Sequence, residues 1–445
     1  MARIGLIGNN SVGYVEKLIG IWNNGDCAVL LDFRIPMKTL TEMMREADVS
    51  VCIVGNSLYQ AEIEHLPCDI QFVPFDDSCK SGVVLPSEII GQFKDNYSSN
   101  EAVVIYSSGT TGKSKGIILS HFAINTNADA IIDYMNPTQN DCILITKTLC
   151  HSSTLTGELL VSLKSRTKLI VAPAIISSSG IFKIINRFCV TLLFVNPTIL
   201  SLLSTYLNNV NCDVSSIRAI YVSGSILNDG IYSMSHRVFA GIPIYNVYGL
   251  SEAAPRVTAQ RADCCKSNSV GKPIKGIKIV IIGCDGKPVQ NGTSGNVYIN
   301  TQTKYSGYIS GNERFVHNDF KGWLNTGDIG YINGYGELVI VGRADSIIIH
   351  QSHNILPESV ENQLMRLSSD IATCRVFVLD DDLCCEYTTF DKKEIDRKKL
   401  KSILDDLKKV LPTYEIPMKF LYVDKINGTL SGKIIRRNYQ NGNNY

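Results

Sequence analysis

Short apolar runs alternate with stretches of helical periodicity through the first half of the chain. Residues 3–7, 28–31 and 51–54 are apolar runs of strand length, and residues 15–23 and 38–47 between them repeat apolar positions at helical spacing. Such alternation is typical of an open, largely parallel α/β sheet. Further apolar runs predict that this arrangement continues, with strands at residues 103–106, 143–146, 169–172, 192–195 and 219–222.

The pattern changes toward the C-terminus. Between residues 267 and 308, short β-type segments are separated by glycines, which predicts a small twisted antiparallel sheet or a barrel-like region. Strands are then predicted at residues 346–349 and 375–379, followed by an amphipathic helix near residues 392–410. We therefore expect an α/β protein with a large domain over residues 1–343 and a small α+β domain over residues 344–445.

The composition excludes several classes of protein. Apolar residues make up 44% of the 445, enough for a sizeable core, so a disordered chain is excluded. The net charge of +1 provides no overall field that would attract nucleic acid or an anionic membrane. No run of 18 uninterrupted apolar residues occurs, and the N-terminus lacks the pattern of a signal peptide. We expect a cytoplasmic protein with neither a nucleic-acid nor a membrane partner.

The fourteen cysteines do not predict a disulfide framework or a zinc site. Two vicinal pairs occur, the other cysteines are scattered, and no C-x-x-C is present. A zinc site needs paired ligands at short spacing, so that one loop can supply two corners of a tetrahedron. Reduced thiols of an intracellular protein are the simpler interpretation.

The most informative stretch is Tyr106-Ser-Ser-Gly-Thr-Thr-Gly-Lys-Ser-Lys-Gly116, which lies between two apolar runs. Glycines let the backbone curl so that N–H groups converge, and hydroxyls and lysines add donors and charge. The segment therefore predicts a polyanion-binding loop. Its candidate ligands are Ser107, Ser108, Gly109, Thr110, Thr111, Gly112, Lys113 and Lys115.

This loop differs from the P-loop of nucleotide hydrolases. The P-loop pattern is G-x-x-x-x-G-K-[ST] and runs into a helix. Here only two residues separate Gly109 from Gly112, and residues 116–121 predict a strand. A P-loop hydrolase is therefore disfavoured.

With four further motifs in order, the loop resembles the signature of the adenylate-forming superfamily. That superfamily includes acyl- and aryl-CoA synthetases, adenylation domains of non-ribosomal peptide synthetases, and luciferase. The further motifs are Tyr248-Gly-Leu-Ser-Glu252, Trp323-Leu-Asn-Thr-Gly-Asp328, Gly342-Arg343 and Gly432-Lys433-Ile434. The chain looks most similar to an acid–CoA ligase, and the resemblance implies that a few dozen N-terminal residues of the usual large domain are missing.

The resemblance implies a reaction in two steps. A carboxylate attacks the α-phosphate of ATP to give an acyl-adenylate and pyrophosphate, and the acyl group then passes to a thiol. The implied cofactors are ATP and Mg²⁺, with CoA or phosphopantetheine as acceptor and CoA favoured. The large domain would be the adenylation domain, and the mobile C-terminal domain would carry the catalytic lysine.

Other functions remain open at this point. The chain could be a stand-alone adenylation enzyme that loads an acyl or aryl acid onto a carrier protein. A luciferase-like oxygenase, or a non-catalytic homologue used as a binding module, is also compatible with the motifs. Retention of Lys433, Glu252 and Asp328 argues against loss of catalysis.

The resemblance assigns a role to each matching residue. Glu252 would bind magnesium, which prefers hard oxygen ligands. Ser251 would contact the α-phosphate, and Lys433 would bridge the substrate carboxylate and the phosphate. The other cofactor-binding residues implied are Gly224 and Tyr248 at the adenine, Asp328 and Arg343 at the ribose, and Gly249.

The resemblance also indicates an acid pocket. His151 lies where the family places a residue that faces the substrate carboxylate, and Phe194 or Val195 is expected in the pocket wall. Amino-acid-activating relatives carry Asp near this position. Because burying an ammonium without a partner is costly, His predicts an acid without an α-amine. Aryl, fatty and small acids all remain possible.

The hinge region matches the family less closely. Asp345 is the implied hinge residue, but Gln351 and Ser352 stand where glycines are usual in the loop that follows. In the family this loop helps to form the tunnel for a pantetheine arm. We therefore expect a narrower tunnel or one with altered hydrogen bonding.

Overall fold

The computed structural model of the protein describes residues 1–62, 66–79, 81–107, 115–262, 264, 269–310, 313–315, 322–351, 353–368, 370–428 and 434. Its first thirteen strands are β1 (Arg3–Ile7), β2 (Cys27–Leu31), β3 (Val51–Gly55), β4 (Gln71–Phe75), β5 (Val83–Val84), β6 (Glu101–Ser107), β7 (Lys115–Ser120), β8 (Cys142–Ile145), β9 (Lys168–Val171), β10 (Leu192–Val195), β11 (Ala219–Val222), β12 (Ile244–Gly249) and β13 (Arg256–Ala259). The remaining strands are β14 (Lys272–Pro273), β15 (Ile277–Ile282), β16 (Gly295–Thr301), β17 (Gly307–Ser310), β18 (Glu313–Phe315), β19 (Leu324–Ile332), β20 (Leu338–Arg343), β21 (Ile348–His350), β22 (His353–Ile355), β23 (Ile371–Leu379), β24 (Asp382–Thr389) and β25 (Lys419–Tyr422).

Helices connect most of the successive strands from β1 to β12. The α-helices are α1 (Val12–Asn23), α2 (Met37–Glu46), α3 (Asn56–Glu62), α4 (Ser87–Gln92), α5 (His121–Met135), α6 (Ser152–Thr154), α7 (Val161–Ser165), α8 (Ser178–Phe188), α9 (Pro197–Asn209), α10 (Asp229–Val238), α11 (Pro357–Leu367) and α12 (Arg397–Val410). A π-helical turn, Leu155–Leu160, joins α6 to α7. No helix in the described ranges is long and apolar enough to cross a membrane.

Two eight-stranded sheets form the large body. The first has the order β18-β17-β7-β6-β2-β1-β3-β4, and the second has the order β14-β13-β12-β11-β10-β8-β9-β5. Their central strands pair in parallel, as between β1 and β2 and between β10 and β11. All residues of β2 and β10 are buried, because helices cover both faces of each sheet.

Three apolar cores lie within this body. The core shared by the two sheets contains side chains of α1, α5 and the π-helical turn, including Leu18, Ile124 and Leu159. A second core packs α8, α9 and α10 on the outer face of the second sheet. A third packs α2 on the outer face of the first sheet. The sheets therefore stack as layers around a common helical layer.

The C-terminal part of the chain has a separate core. Strands β23, β24 and β25 form a three-stranded sheet that packs with α11 and α12 around Val360, Leu364 and Leu407. Helix α11 contacts β20 and α10 of the large body. The four-stranded antiparallel sheet β15-β16-β19-β20 belongs to the large body, because side chains such as Val297 and Ile299 join the core shared by the two large sheets.

The α/β fold class is confirmed, and most predicted strands have counterparts within one or two residues. The predicted helix at residues 392–410 begins later, at Arg397, because the Asp396 side chain accepts hydrogen bonds from the backbone N–H groups of Lys398 and Lys399. The strand predicted from residue 346 begins at Ile348, after a 3₁₀ turn. The boundary between residues 343 and 344 stays a prediction.

Candidate active site

Strands β6 and β7 bring the two ends of the predicted phosphate loop together. They pair antiparallel, with Ser107 opposite Lys115. The candidates Ser108, Gly109, Thr110, Thr111, Gly112 and Lys113 lie outside the described residues. The Lys115 ammonium, at the exit of the loop, lies 5.6 Å from the centre of the Tyr308 ring.

Glu252 lies next to β7, in the 3₁₀ turn Ser251–Ala253 that follows β12. The Tyr308 hydroxyl donates to Oε1 of Glu252 at 2.9 Å. The carboxylate is half-buried and forms no ion pair with any other residue that the structure describes. With the Tyr308 hydroxyl as its side-chain donor among the described residues, the carboxylate retains oxygen lone pairs for a hard cation, so Glu252 fits the Mg²⁺ role.

Ser251 faces the segment that carries His151. The hydroxyl oxygens of Ser251 and Ser152 lie 2.9 Å apart. Ser251, which is predicted to contact the α-phosphate, therefore lies next to Ser152. Ser152 directly follows His151, the predicted acid-pocket residue. Ser152 was not predicted, because it lies outside every matched motif.

His151 also belongs to a cluster with Asp32 and Cys150, whose possible ligand atoms all lie within 4.8 Å of one another. Arg34 donates to both oxygens of Asp32, at 2.8 Å from Nε and 2.5 Å from Nη2. Burial raises the pKa of Asp32, but the Arg34 hydrogen bonds outweigh it and the net shift is downward. Because a guanidinium already occupies the carboxylate, we assign no metal to this cluster.

The predicted ribose end of the site is a connected group. Asp328 on β19 stands opposite Arg343 on β20, and Nη1 of Arg343 lies 3.2 Å from Oδ1 of Asp328. The Tyr248 hydroxyl donates to the other Asp328 oxygen. Burial and the charge of Asp328 raise the pKa of Tyr248 well above its ordinary value, so the phenol stays protonated and remains a donor.

Arg343 also reaches the predicted hinge. Its Nε and Nη2 lie 3.2 and 3.3 Å from the carboxylate oxygens of Asp345. Burial lowers the pKa of Arg343, but the charges of Asp328 and Asp345 more than offset this and raise it. The predicted catalytic Lys433 lies outside the described residues, while Gly428 and Ile434 beside it form an antiparallel bridge.

Glycine is favoured at the two predicted cofactor-binding positions 224 and 249 for different structural reasons. Gly224 has φ +106°, a conformation that side chains rarely adopt. A Cβ on Gly249 would lie 2.0 Å from the carbonyl oxygen of Pro255, so only glycine fits there. Both positions therefore keep the backbone free of side chains at the end of the second sheet.

The two predicted wall residues lie on opposite faces of β10. Phe194 stacks on Tyr221 with ring centres 5.1 Å apart, and Tyr221 lies 5.4 Å from the Tyr245 ring. Val195 is fully buried in the core on the outer face of the sheet. Of the two, the structure therefore makes Phe194 the candidate for the pocket wall.

The sequence of this chain is similar to a known enzyme family and to individual ligases. The family model described as "AMP-binding enzyme" matches residues 2–309. Indoleacetate–CoA ligase from Aromatoleum aromaticum is 28% identical over 340 residues, which cover 75% of this chain and 65% of that ligase. 2-Succinylbenzoate–CoA ligase from Bacillus cereus (strain Q1) is 25% identical over 442 residues, which cover 98% of this chain and 87% of that ligase.

The fold is also found in solved structures. The anthranilate CoA ligase in complex with anthranoyl-AMP has a TM-score of 0.84 to this protein at 20% sequence identity. The match covers 98% of this chain and 86% of that one. The arrangement of sheets and helices is therefore shared over almost the whole length of the chain.

Proposed function

The chain belongs to the AMP-binding enzyme family, and we propose that it is an acid–thiol ligase that activates a carboxylic acid with ATP and transfers it to coenzyme A. The observation that carries the proposal is the linked group Tyr248–Asp328–Arg343, which stands at the end of β12 beside the Glu252 turn. We interpret these three residues as a nucleoside-binding site, with Glu252 as a metal ligand next to it.

The first step joins two anions. A carboxylate oxygen bonds to the α-phosphorus of ATP, and the bond from that phosphorus to the bridging oxygen breaks, so that pyrophosphate leaves. Repulsion between the anions must be offset by cations placed before the reaction begins. Lys115 and the predicted Lys433 supply positive charge, and Mg²⁺ held by Glu252 would neutralise the triphosphate.

The second step uses the adenylate as an acylating agent. A thiolate attacks the acyl carbonyl carbon, the carbon–oxygen bond to AMP breaks, and a thioester forms. The acceptor in this proposal is coenzyme A, because the relatives reported above are named CoA ligases. A carrier-protein phosphopantetheine has the same reactive arm and is the alternative acceptor.

The proposed substrate is an aromatic carboxylic acid. The Phe194 ring, at the predicted pocket wall, stacks on the Tyr221 ring, and the Tyr245 ring lies beyond it at a tilt. The names of the relatives, indoleacetate and 2-succinylbenzoate ligases, refer to acids that carry an aromatic ring. His151 in place of an acidic residue favours an acid without an α-amine.

We also propose a cytoplasmic location. The described cysteines form no disulfide, as expected of a reducing compartment. ATP and CoA are the co-substrates of the proposed reaction, and both must be supplied where the enzyme works.

The test is acid-dependent ATP–pyrophosphate exchange over a panel of carboxylic acids. Indoleacetate, ferulate, anthranilate and 2-succinylbenzoate represent aromatic acids, and medium-chain fatty acids, acetate and phenylalanine serve as comparisons. We expect exchange with at least one aromatic acid and thioester formation on addition of CoA. Exchange confined to fatty or amino acids contradicts the substrate class, and thioester formation only with a carrier protein contradicts the acceptor.

A further inference from the structure

We propose that Tyr308 is a positioning residue that fixes the Glu252 carboxylate for the metal–triphosphate complex and couples it to the strand leaving the phosphate loop. This inference rests on the proposed function, because it assigns Tyr308 a part in adenylation. Tyr308 lies outside every motif that predicted the site.

The direct contact is one hydrogen bond between two residues far apart in sequence. The Tyr308 hydroxyl donates to Oε1 of Glu252 at 2.9 Å. The Tyr308 side chain is 6% exposed, so water competes little for this bond. A hydrogen bond of this kind, between a neutral donor and an ionised acceptor, is stronger than one between two neutral groups.

The backbone around Tyr308 holds the Glu252 turn from the same side. The Tyr305 N–H donates to the carbonyl oxygen of Glu252 at 2.8 Å, and the Thr303 hydroxyl donates to the carbonyl oxygen of Ala253 at 3.0 Å. Both the main chain and the side chain of Glu252 are therefore fixed by one segment, residues 303–308.

The same segment is fixed to the exit strand of the phosphate loop. Tyr308 on β17 stands opposite Ile117 on β7, and the Ser306 N–H donates to the carbonyl oxygen of Ile118 at 2.8 Å. The ammonium of Lys115, at the start of β7, lies 5.6 Å from the Tyr308 ring centre, within cation–π range. Tyr308 thus contacts the candidate metal ligand on one side and a candidate phosphate-binding lysine on the other.

The hydroxyl of Tyr308 is a neutral donor, and this has a chemical consequence for Glu252. A phenol restrains one carboxylate oxygen without a positive charge, so Glu252 keeps its full negative charge for a cation. Among the described residues no side chain donates to the other oxygen, which can therefore serve as a metal ligand. Fixing the rotamer before the nucleotide arrives also removes an entropic cost from metal binding.

The test measures ATP binding as a function of Mg²⁺ concentration with the variant Tyr308→Phe. This variant keeps the ring against Lys115 and removes only the hydroxyl. ATP affinity in excess EDTA should stay within twofold of the wild type, whereas the Mg²⁺ concentration that half-saturates ATP binding should rise roughly tenfold, as expected for one lost hydrogen bond to a charged group. An unchanged Mg²⁺ dependence overturns the proposal.

Two further variants separate a positioning role from a structural one. Tyr97→Phe is the matched control, since the Tyr97 hydroxyl also donates to a carboxylate, that of Asp129 at 2.7 Å, away from this site. It should leave the Mg²⁺ dependence unchanged. In a Glu252→Gln background, Tyr308→Phe should cause no further loss, and a full additional loss contradicts coupling through Glu252.

A failure of the underlying function gives a different result. If the wild-type protein binds no ATP at any Mg²⁺ concentration, the proposed function is wrong and Tyr308 has no such role. If the wild type binds ATP with Mg²⁺ and Tyr308→Phe is folded but indistinguishable from it, only the Tyr308 proposal is wrong. Thermal unfolding of each variant establishes that it is folded.

Discussion

Asp328 and Arg343 stand opposite each other on neighbouring antiparallel strands, and Nη1 of Arg343 lies 3.2 Å from Oδ1 of Asp328. The same guanidinium group lies 3.2 Å from the carboxylate of Asp345, just beyond the end of its strand. One arginine therefore bridges the predicted ribose ligand and the predicted hinge. We therefore expect a change in the position of this guanidinium to affect both the predicted ribose ligand and the predicted hinge.

This relationship predicts the effect of Arg343→Met. Loss of the guanidinium removes one of the groups that orient the Asp328 carboxylate, which is predicted to accept hydrogen bonds from both ribose hydroxyls. We expect KM for ATP in pyrophosphate exchange to rise about tenfold, the size typical of a lost charge-assisted hydrogen bond. Arg45→Met is the control, because Arg45 pairs with Asp69 at a distant exposed site. Equal effects of both substitutions would contradict a specific role for Arg343.

Lys433→Ala tests the residue predicted to act in the chemical step. An ammonium that bridges carboxylate and phosphate stabilises charge chiefly in the transition state, so its loss lowers the rate more than ATP binding. We expect pyrophosphate exchange to fall by about 10²–10³, similar to the loss of one oxyanion donor. ATP affinity measured by equilibrium binding should remain nearly unchanged. Exchange at the wild-type rate would show that Lys433 is not the catalytic lysine.

Much of the fold could be predicted because buried parallel strands are continuous apolar runs. Strands β10 and β11 have the predicted bounds, Leu192–Val195 and Ala219–Val222. The start of α12 was predicted too early, since a single side chain, that of Asp396, decides where the helix begins. The order of strands depends on pairing between distant segments, such as β7 with β17, and no local pattern specifies it.

The site residues also divide into those that a local motif predicts and those that depend on contacts between distant segments. Motifs predicted Glu252, Asp328 and Arg343, and the structure brings the last two into contact. Tyr308 was missed because its hydrogen bond to Glu252 spans 56 residues. The alternation of side chains along a strand could have separated Phe194 from Val195, because successive residues face opposite sides of the sheet.

His121 predicts a pH dependence of folding stability. It begins α5, is 5% exposed, and packs edge-on against Trp22 with ring centres 6.0 Å apart. Burial lowers its pKa to about 4, below the ~6.5 of an exposed histidine. The unfolded chain therefore binds a proton more readily, so stability is full above pH 6.5 and falls as the pH drops toward 4.

Urea unfolding of the wild type and His121→Phe at several pH values measures this contribution. Because the phenylalanine does not titrate, the stability of the wild type relative to the variant should fall by about 2 kcal/mol between pH 7 and pH 4.5. Comparison with the variant cancels the titration of carboxylates elsewhere. A difference that stays constant across this range would contradict a buried neutral His121.

Asp345→Pro tests the predicted hinge. Asp345 lies in the 3₁₀ turn Ala344–Ser346, between β20 and the C-terminal strands. Proline fixes φ near −65° and restricts the residue before it, so rotation at this point would be blocked. We expect one half-reaction to keep its rate and the other to fall at least tenfold, as measured by pyrophosphate exchange and by thioester formation from preformed adenylate. Equal loss of both rates in a folded variant would contradict a hinge at Asp345.

The loop after the hinge gives the last prediction, which concerns the thiol acceptor. His350 on β21 pairs with His353 on β22, and Gln351 directly follows the end of β21. Gln351 has φ +48°, a left-handed conformation that glycine adopts without strain. Ser352 lies outside the described residues.

Gln351→Gly combined with Ser352→Gly should speed thioester formation and leave pyrophosphate exchange unchanged. Removing both side chains would widen the predicted pantetheine tunnel, and this tunnel is needed only in the second half-reaction. Gln351→Ala separates two causes, because it shortens the side chain but keeps the strain of a left-handed residue. If the alanine variant matches the double glycine variant, side-chain bulk limits the rate; if only glycine helps, the backbone does. An unchanged thioester rate in both variants, with CoA and with a carrier protein, would mean that this turn does not contact the acceptor.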